Sequence, residues 1–281
     1  MWNPADSPFA YHLILRSILV PAGVTASVRA LARATRVTRG MSTALALFCG
    51  FFAAYGLIDR DFTWLPHTVL SWVPWLALGG LLLPAFAARR GWHIAQAARW
   101  AIAACAAAVL LWPVLGQESL QTAVGLWGFS ACAFGLLWSA LSLPSGHGTA
   151  SSAILFIAAA TLAVIAPLSG SLLLGEMSGA LACSLFILLV SGGLRTDAIA
   201  VDLAAIVLGS LVLDVWIYAE APVRAMAPLL LSIGAGALAI RKAPERPGIR
   251  WMLLCGLAGL LPALVAGWMA AQAYAASAAA Y

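Results

Sequence analysis

The sequence predicts an all-α protein built as a polytopic transmembrane helical bundle of about nine spans, preceded by a basic amphipathic helix. Composition is the first indication, because 63% of the residues are hydrophobic and 9% are charged, whereas soluble domains carry about 25% charged residues. The second is a series of apolar runs of about 17 to 25 residues, the length that crosses a hydrocarbon core of about 30 Å as a helix. The third is that the basic residues fall mainly in alternate loops.

The apolar runs define the transmembrane domain, residues 41–281. Helices are expected because a helix satisfies its own backbone hydrogen bonds in lipid. Short linkers rich in proline, glycine and charge separate the runs. The predicted spans are residues 41–58, 68–87, 99–116, 121–142, 149–167, 171–190, 197–217, 225–240 and 251–271.

Residues 1–40 form a leader that permits two interpretations. Its apolar part, residues 9–28, contains Arg16, and a central arginine costs about 2.5–3.5 kcal/mol to insert. Arg29, Arg33 and Arg36 recur at helical spacing and share one face. These features favour a basic amphipathic helix on the cytoplasmic membrane surface. A tenth span over residues 9–28 is the alternative.

The distribution of basic residues predicts the orientation. Thirteen of the fifteen lie on one side if the spans alternate strictly from Met41, and loops rich in lysine and arginine face the cytoplasm. This places the chain in a bacterial cytoplasmic membrane with its C-terminus outside. The net charge of +5 then points to anionic lipid headgroups rather than nucleic acid as the partner. The basic side holds Arg16, Arg29, Arg33, Arg36, Arg39, Arg89, Arg90, Arg99, Arg195, Arg241, Lys242, Arg246 and Arg250, and the other side holds Arg60 and Arg224.

Three acids lie inside apolar stretches: Glu176, Asp202 and Asp214. Acids in membrane spans are costly, and they often mark ion or proton sites. Glu176 and Asp214 are predicted at similar depth near the outer ends of neighbouring antiparallel helices, where they would form a proton- or cation-binding pair. The structural alternative is that Glu176 and Asp202 interact favourably with helix N-termini and that Asp214 reaches water.

A short motif between the fourth and fifth spans suggests different chemistry. The run Pro144, Ser145, Gly146 and His147 resembles the central motif of the type 2 phosphatidic acid phosphatase superfamily. The resemblance implies that Ser145 and Gly146 hold a phosphate and that His147 is the general acid for the leaving group. It also implies an active site on the outer face, whereas the charge pattern predicts that His147 is cytoplasmic.

The same family carries a later motif of the form SR-x5-H-x3-D. Ser191 and Asp202 stand at the separation of its outer members. Gly192 occupies the arginine position and Ala198 the position of the nucleophilic histidine, so the resemblance implies a degenerate relative. Without a nucleophile, no covalent phosphoenzyme is expected.

These patterns predict an integral membrane protein without a complete catalytic set. It is expected to be a non-enzymatic subunit of a membrane assembly or a proton- or cation-linked carrier, with a protein partner or a second copy of itself. The alternative is a degenerate lipid-phosphate phosphatase-like protein. No metal or cofactor is predicted, because the five cysteines lack metal-ligand spacing and no nucleotide-binding motif is present.

Overall fold

A computed structural model describes residues 8–35, 39–59, 66–87, 91–142, 148–191, 198–242 and 249–278. The described chain is helical, which confirms the predicted fold class. A π-helical segment, Leu15–Leu19, joins the first two helices, and a 3₁₀ turn, Leu70–Trp72, precedes the fourth. The α-helices are α1 (Pro8–Ile14), α2 (Val20–Ala34), α3 (Arg39–Ile58), α4 (Val73–Ala87), α5 (Trp92–Leu115), α6 (Leu120–Leu141), α7 (Gly148–Leu168), α8 (Leu172–Val190), α9 (Ala198–Ile217), α10 (Val223–Arg241) and α11 (Ile249–Ala278).

Nine helices in the described part of the chain are long and apolar enough to cross a membrane, so the chain is an integral membrane protein. Eight of them correspond to predicted spans. The ninth is Tyr11–Ala34 in the leader, whereas the predicted span 68–87 contains a shorter apolar helix, Leu70–Leu82. The span predicted at 99–116 begins earlier, since α5 starts at Trp92.

Helix α9 lies at the centre of the bundle. Over an 18-residue stretch, 89% of it is buried within the protein, compared with 56% or less for the other candidate spans. It packs against α3, α4, α5, α6, α7 and α8. Its sequence is apolar on every side, as expected for a helix surrounded by other helices rather than by lipid on one face.

Side-chain contacts between helix ends show that successive helices run in opposite directions. At one end, the Ser151 hydroxyl in α7 donates to the Leu141 carbonyl of α6 at 3.1 Å. At the other end, the Tyr218 hydroxyl after α9 donates to the Leu110 carbonyl of α5 at 2.6 Å. We call the first end, where α6 and α8 finish and α7 and α9 begin, the basic end, and the second the opposite end.

The leader helix, residues 8–34, is basic and amphipathic as predicted, but its basic face is turned inward. The Arg29 guanidinium is buried and donates to the Leu188 carbonyl of α8 at 3.0 Å, and Arg33 donates to the Ser191 carbonyl at 2.7 Å. Cations are favourable at this position because the last carbonyls of a helix lack intrahelical partners. Leu31, on the apolar face, is 65% exposed.

The leader helix also follows α8 along most of its length. Ser17 lies against Gly179 in the middle of α8, and Arg16 is close enough to Glu176 to interact electrostatically. On its other side, Thr25 packs closely on Gly50 of α3. Such small residues allow membrane helices to approach one another. This packing favours the alternative interpretation, a span, over the predicted helix on the membrane surface.

A cysteine placed at Tyr11 in a cysteine-free variant tests this arrangement. If the leader helix crosses the membrane in parallel with α8 and the basic end faces the cytoplasm, as the charge pattern predicts, an impermeant thiol reagent added to intact cells is expected to label position 11 and to miss a cysteine at Lys242, at the basic end. Both positions are exposed on the protein. Labelling of Tyr11→Cys only after permeabilisation would instead place the leader on the cytoplasmic surface.

Candidate functional site

The central helix carries two buried acids, one towards each end. Asp202 lies near the start of α9 at the basic end, and Asp214 lies one turn before its last residue. They are separated by about 18 Å along the axis at about 1.5 Å per residue. Each is 1% exposed. Their surroundings differ, and the difference determines what each can do.

Asp202 is fully engaged. Its two carboxylate oxygens accept a fork of hydrogen bonds from Arg99 of α5, Nε to Oδ1 at 3.1 Å and Nη2 to Oδ2 at 3.1 Å. The indole Nε1 of Trp138 donates to Oδ1 at 2.8 Å, and the Ser142 hydroxyl donates to Oδ1 at 2.6 Å. We call Arg99, Trp138, Ser142 and Asp202 the Asp202 cluster.

The local sequence explains how three helices supply this cluster. Trp138 and Ser142 are four residues apart at the end of α6, so both point to the same side of that helix. Asp202 lies in the second turn of α9, where the helix dipole still favours an anion. Arg99 lies two turns into α5 and is 6% exposed; it also donates to Gln96, which bonds in turn to Ser139 of α6.

The Asp202 cluster neutralises its own charge. A two-pronged arginine–carboxylate pair with further donors is the arrangement in which buried ions are tolerated. Its chemical role is therefore to join α5, α6 and α9 at the basic end rather than to bind a free proton or cation. Sequence reasoning missed these partners of Asp202. It assigned Arg99 to a basic loop, whereas the side chain is buried inside the bundle.

Asp214 has the opposite character. Neither of its oxygens has a hydrogen-bond partner among the described residues. It lies close enough to Tyr55 and Tyr218 for electrostatic interaction, but both hydroxyls donate elsewhere. Tyr55 donates to Asp59 at 2.8 Å and to a backbone carbonyl, and Tyr218 donates to a carbonyl of α5.

A buried carboxylate without partners is chemically unusual. Leaving the ionised form in an apolar interior is far more costly than leaving a neutral polar group there. A carboxyl group in such a setting is expected to be neutral or to be paired with a cation. Of the two buried acids of α9, Asp214 is the one without a described hydrogen-bond partner, which makes it the candidate for such a site.

The predicted pair of Glu176 and Asp214 is not formed among the described contacts. Glu176 is half-buried beside Arg16 of the leader helix, whereas Asp214 lies beside Tyr55 and Tyr218. The face of α8 around Glu176 is closely packed, since Gly175 adjoins Pro167 of α7. The two acids thus have different described neighbours, and their pairing stays a prediction.

The segment with Ser145, Gly146 and His147 lies outside the described residues. The residues that flank it are at the basic end: Ser142 belongs to the Asp202 cluster, and Ser151 bonds to the Leu141 carbonyl. Asp202, the last member of the later motif, therefore lies at the same end of the bundle as this segment. Its carboxylate is occupied by Arg99, Trp138 and Ser142.

Metal-ligating side chains are dispersed in the described part of the chain, where no group of three His, Cys, Asp or Glu residues could hold an ion. The five cysteines are unpaired. Comparison with protein-family models and with curated proteins finds no match to this chain.

Proposed function

We propose that the protein is a proton-linked membrane carrier in which Asp214 takes up and releases the proton. The observation that carries the proposal is the buried carboxylate of Asp214, both oxygens of which lack a hydrogen-bond partner among the described residues. Acids inside a membrane bundle are costly and rare, and they often mark proton or ion pathways.

The position of Asp214 supports this role. It is held by the central helix, which packs on six others. Carriers alternate between states by moving groups of helices around such a fixed site. At the far end of the same helix, the neutralised Asp202 cluster provides a rigid attachment to α5 and α6.

We further propose that the basic end faces the cytoplasm of a bacterial cell, where its exposed basic side chains, such as Arg241, contact anionic lipid headgroups. The support is the uneven distribution of the basic residues. Asp214 would then lie near the outer side, and the C-terminus would be external.

Infrared difference spectroscopy on the reconstituted protein tests the proton site without a known substrate. Between acid and alkaline pH, a carboxylic acid that exchanges a proton loses its carbonyl stretching band. The chain has ten acidic residues, so we expect one component of this band to be present in the wild type and missing in Asp214→Asn. Glu176→Gln, which changes the span acid beside Arg16, is the matched control and is expected to keep that component. A band in Asp214→Asn that is unchanged from the wild type contradicts the proposal.

The carrier role has its own measurement. Proteoliposomes that contain a pH-sensitive dye are screened for solutes whose addition changes the internal pH. We expect such solutes to act on vesicles with wild-type protein and to have no effect on vesicles with Asp214→Asn. Equal responses from both proteins would remove Asp214 from the transport mechanism.

A second function is favoured by one observation, the location of Asp202 at the same end as the residues flanking Pro144–His147. In this second function, the chain is a degenerate lipid-phosphate phosphatase-like protein that binds a phosphate monoester without hydrolysing it. Asp202 is already engaged by Arg99, which weighs against a role in catalysis. Binding of short-chain phosphatidic acid that is abolished by His147→Ala would support this function over the carrier.

A further inference from the structure

A lateral groove opens on the side of the bundle between α6, α9 and α10. Its lining side chains are hydrocarbon, aromatic or thioether groups apart from the buried hydroxyl of Ser130. Two of them, Phe129 and Val223, are 61% and 66% exposed. The lining residues are Phe129, Ser130, Ala133, Phe134, Leu137, Gly209, Val212, Leu213, Trp216, Val223, Met226, Ala227 and Leu230.

The walls of the groove are well ordered by packing. Phe134 lies directly on Gly209, where even a methyl group would clash with its ring. Phe129 and Trp216 form an edge-to-face pair with ring centroids 5.9 Å apart. The groove is thus built from interlocked side chains of α6 and α9, and α10 forms the opposite wall. All three walls are candidate membrane spans, so the groove lies at the depth of the bilayer.

A positive group stands where the groove reaches the opposite end. Val223 and Arg224 form the first turn of α10, and Arg224 is exposed. The N-cap of this helix, Pro222, provides no side-chain hydrogen bond. The Ala225 N–H already donates to the Pro222 carbonyl at 2.8 Å, so the N–H groups of Val223 and Arg224, together with the guanidinium of Arg224, are the donors that an anion would meet there. Helix N-termini favour phosphate. The acid nearest in sequence, Glu220, lines a separate cavity with Tyr218 and Tyr274.

We propose that this surface is a phospholipid-binding site. One acyl chain lies in the groove between α6, α9 and α10, and the phosphate binds Arg224 and the N-terminus of α10. The match is in both chemistry and position: an apolar groove at membrane depth continues to a cation at the membrane interface. The site explains why an arginine is placed at the end of the bundle that is poor in basic residues. It does not depend on proton transfer at Asp214.

Native mass spectrometry with added phosphatidylglycerol tests the site. We expect the wild type to retain one lipid molecule after mild delipidation. Ala227→Trp, which fills the groove, should lose it, and Arg224→Gln should bind about tenfold more weakly, as expected for a lost charge-assisted hydrogen bond. The matched controls are Leu264→Trp, on the exposed side of α11, and Lys242→Gln, at the basic end; both should bind as the wild type does. Retention by Ala227→Trp at the wild-type level overturns the proposal.

A measurement on the wild type guards against a variant that fails to fold. Phosphatidylglycerol with a photoreactive group in the acyl chain is expected to cross-link to peptides from α6 and α10 that contain Ala133 and Ala227. Diacylglycerol, which lacks the phosphate, should compete poorly. Cross-links confined to other helices would overturn the site, and competition by diacylglycerol as strong as that of phosphatidylglycerol would overturn the role of Arg224.

Discussion

Replacing Asp202 by leucine is expected to lower the free energy of unfolding by about 3–5 kcal/mol, because Arg99 would remain buried without its counter-charge. Arg99→Leu should have a similar effect, because Asp202 would then remain buried without its counter-charge. In the wild type, the guanidinium meets both carboxylate oxygens at 3.1 Å, and Trp138 and Ser142 complete the site. Reversible unfolding in mixed micelles, followed by circular dichroism, measures the change.

The double variant Arg99→Leu/Asp202→Leu separates pairing from packing. Replacing both partners of a buried pair with apolar groups is often close to neutral, so the double variant should recover most of the stability lost in either single one. Trp138 and Ser142 would still lack their acceptor, which leaves a residual loss of about 1–3 kcal/mol.

Glu176→Leu is the control for this experiment, since Glu176 is half-buried and its nearest charge is Arg16. Changes away from a fully buried network are usually small. If Asp202→Leu lowered the free energy of unfolding by no more than Glu176→Leu does, the Asp202 cluster would not be the attachment of α9 to α5 and α6.

Much of the architecture was predictable because membrane insertion depends on local hydropathy. Each apolar run that exceeds the hydrocarbon thickness forms a helix, and the predicted run 171–190 differs from α8, Leu172–Val190, by one residue at its start. The predicted helix ends agreed less well with the structure where a charged residue is buried. The span containing Arg99 was predicted to begin at that residue, and Arg99 was counted with the basic loops, whereas α5 begins at Trp92.

The leader shows why a charge inside an apolar run is ambiguous. The insertion cost assumed for Arg16 applies to an arginine facing lipid, and the structure instead places Arg16 near Glu176. Arg29 and Arg33 bind carbonyls at the end of α8. These partners are more than 150 residues away in sequence, so hydropathy alone gave no indication of them.

The candidate site was predicted only in part for the same reason. The sequence identifies Asp202 and Asp214 as intramembrane acids and gives their approximate depth. It does not give the direction in which each side chain points, since α9 is apolar on all sides and has no amphipathic face to orient it. Tertiary packing therefore determines that Asp202 pairs with Arg99 and that Asp214 has no partner among the described residues.

Replacing Asp214 by leucine is expected to stabilise the protein by about 1–3 kcal/mol, in contrast to the same substitution at Asp202. A buried polar group without a partner imposes a desolvation penalty of this size, and neither oxygen of Asp214 has one among the described residues. Leucine has a similar volume, so it should fit without a large cavity. Unfolding under the conditions used for the Asp202 variants gives the comparison directly.

The combination of outcomes distinguishes function from structure. Replacing a residue that is kept for stability destabilises the protein. Replacing a residue that is kept for activity can stabilise the protein while its function is lost. Asp214→Leu is expected to unfold at a higher denaturant concentration than the wild type and to lose the same component of the infrared carboxyl band as Asp214→Asn. If it destabilised the protein as much as Asp202→Leu does, Asp214 would have a structural partner and the proton site would lie elsewhere. Two aspartates on one helix would then differ in position but not in role.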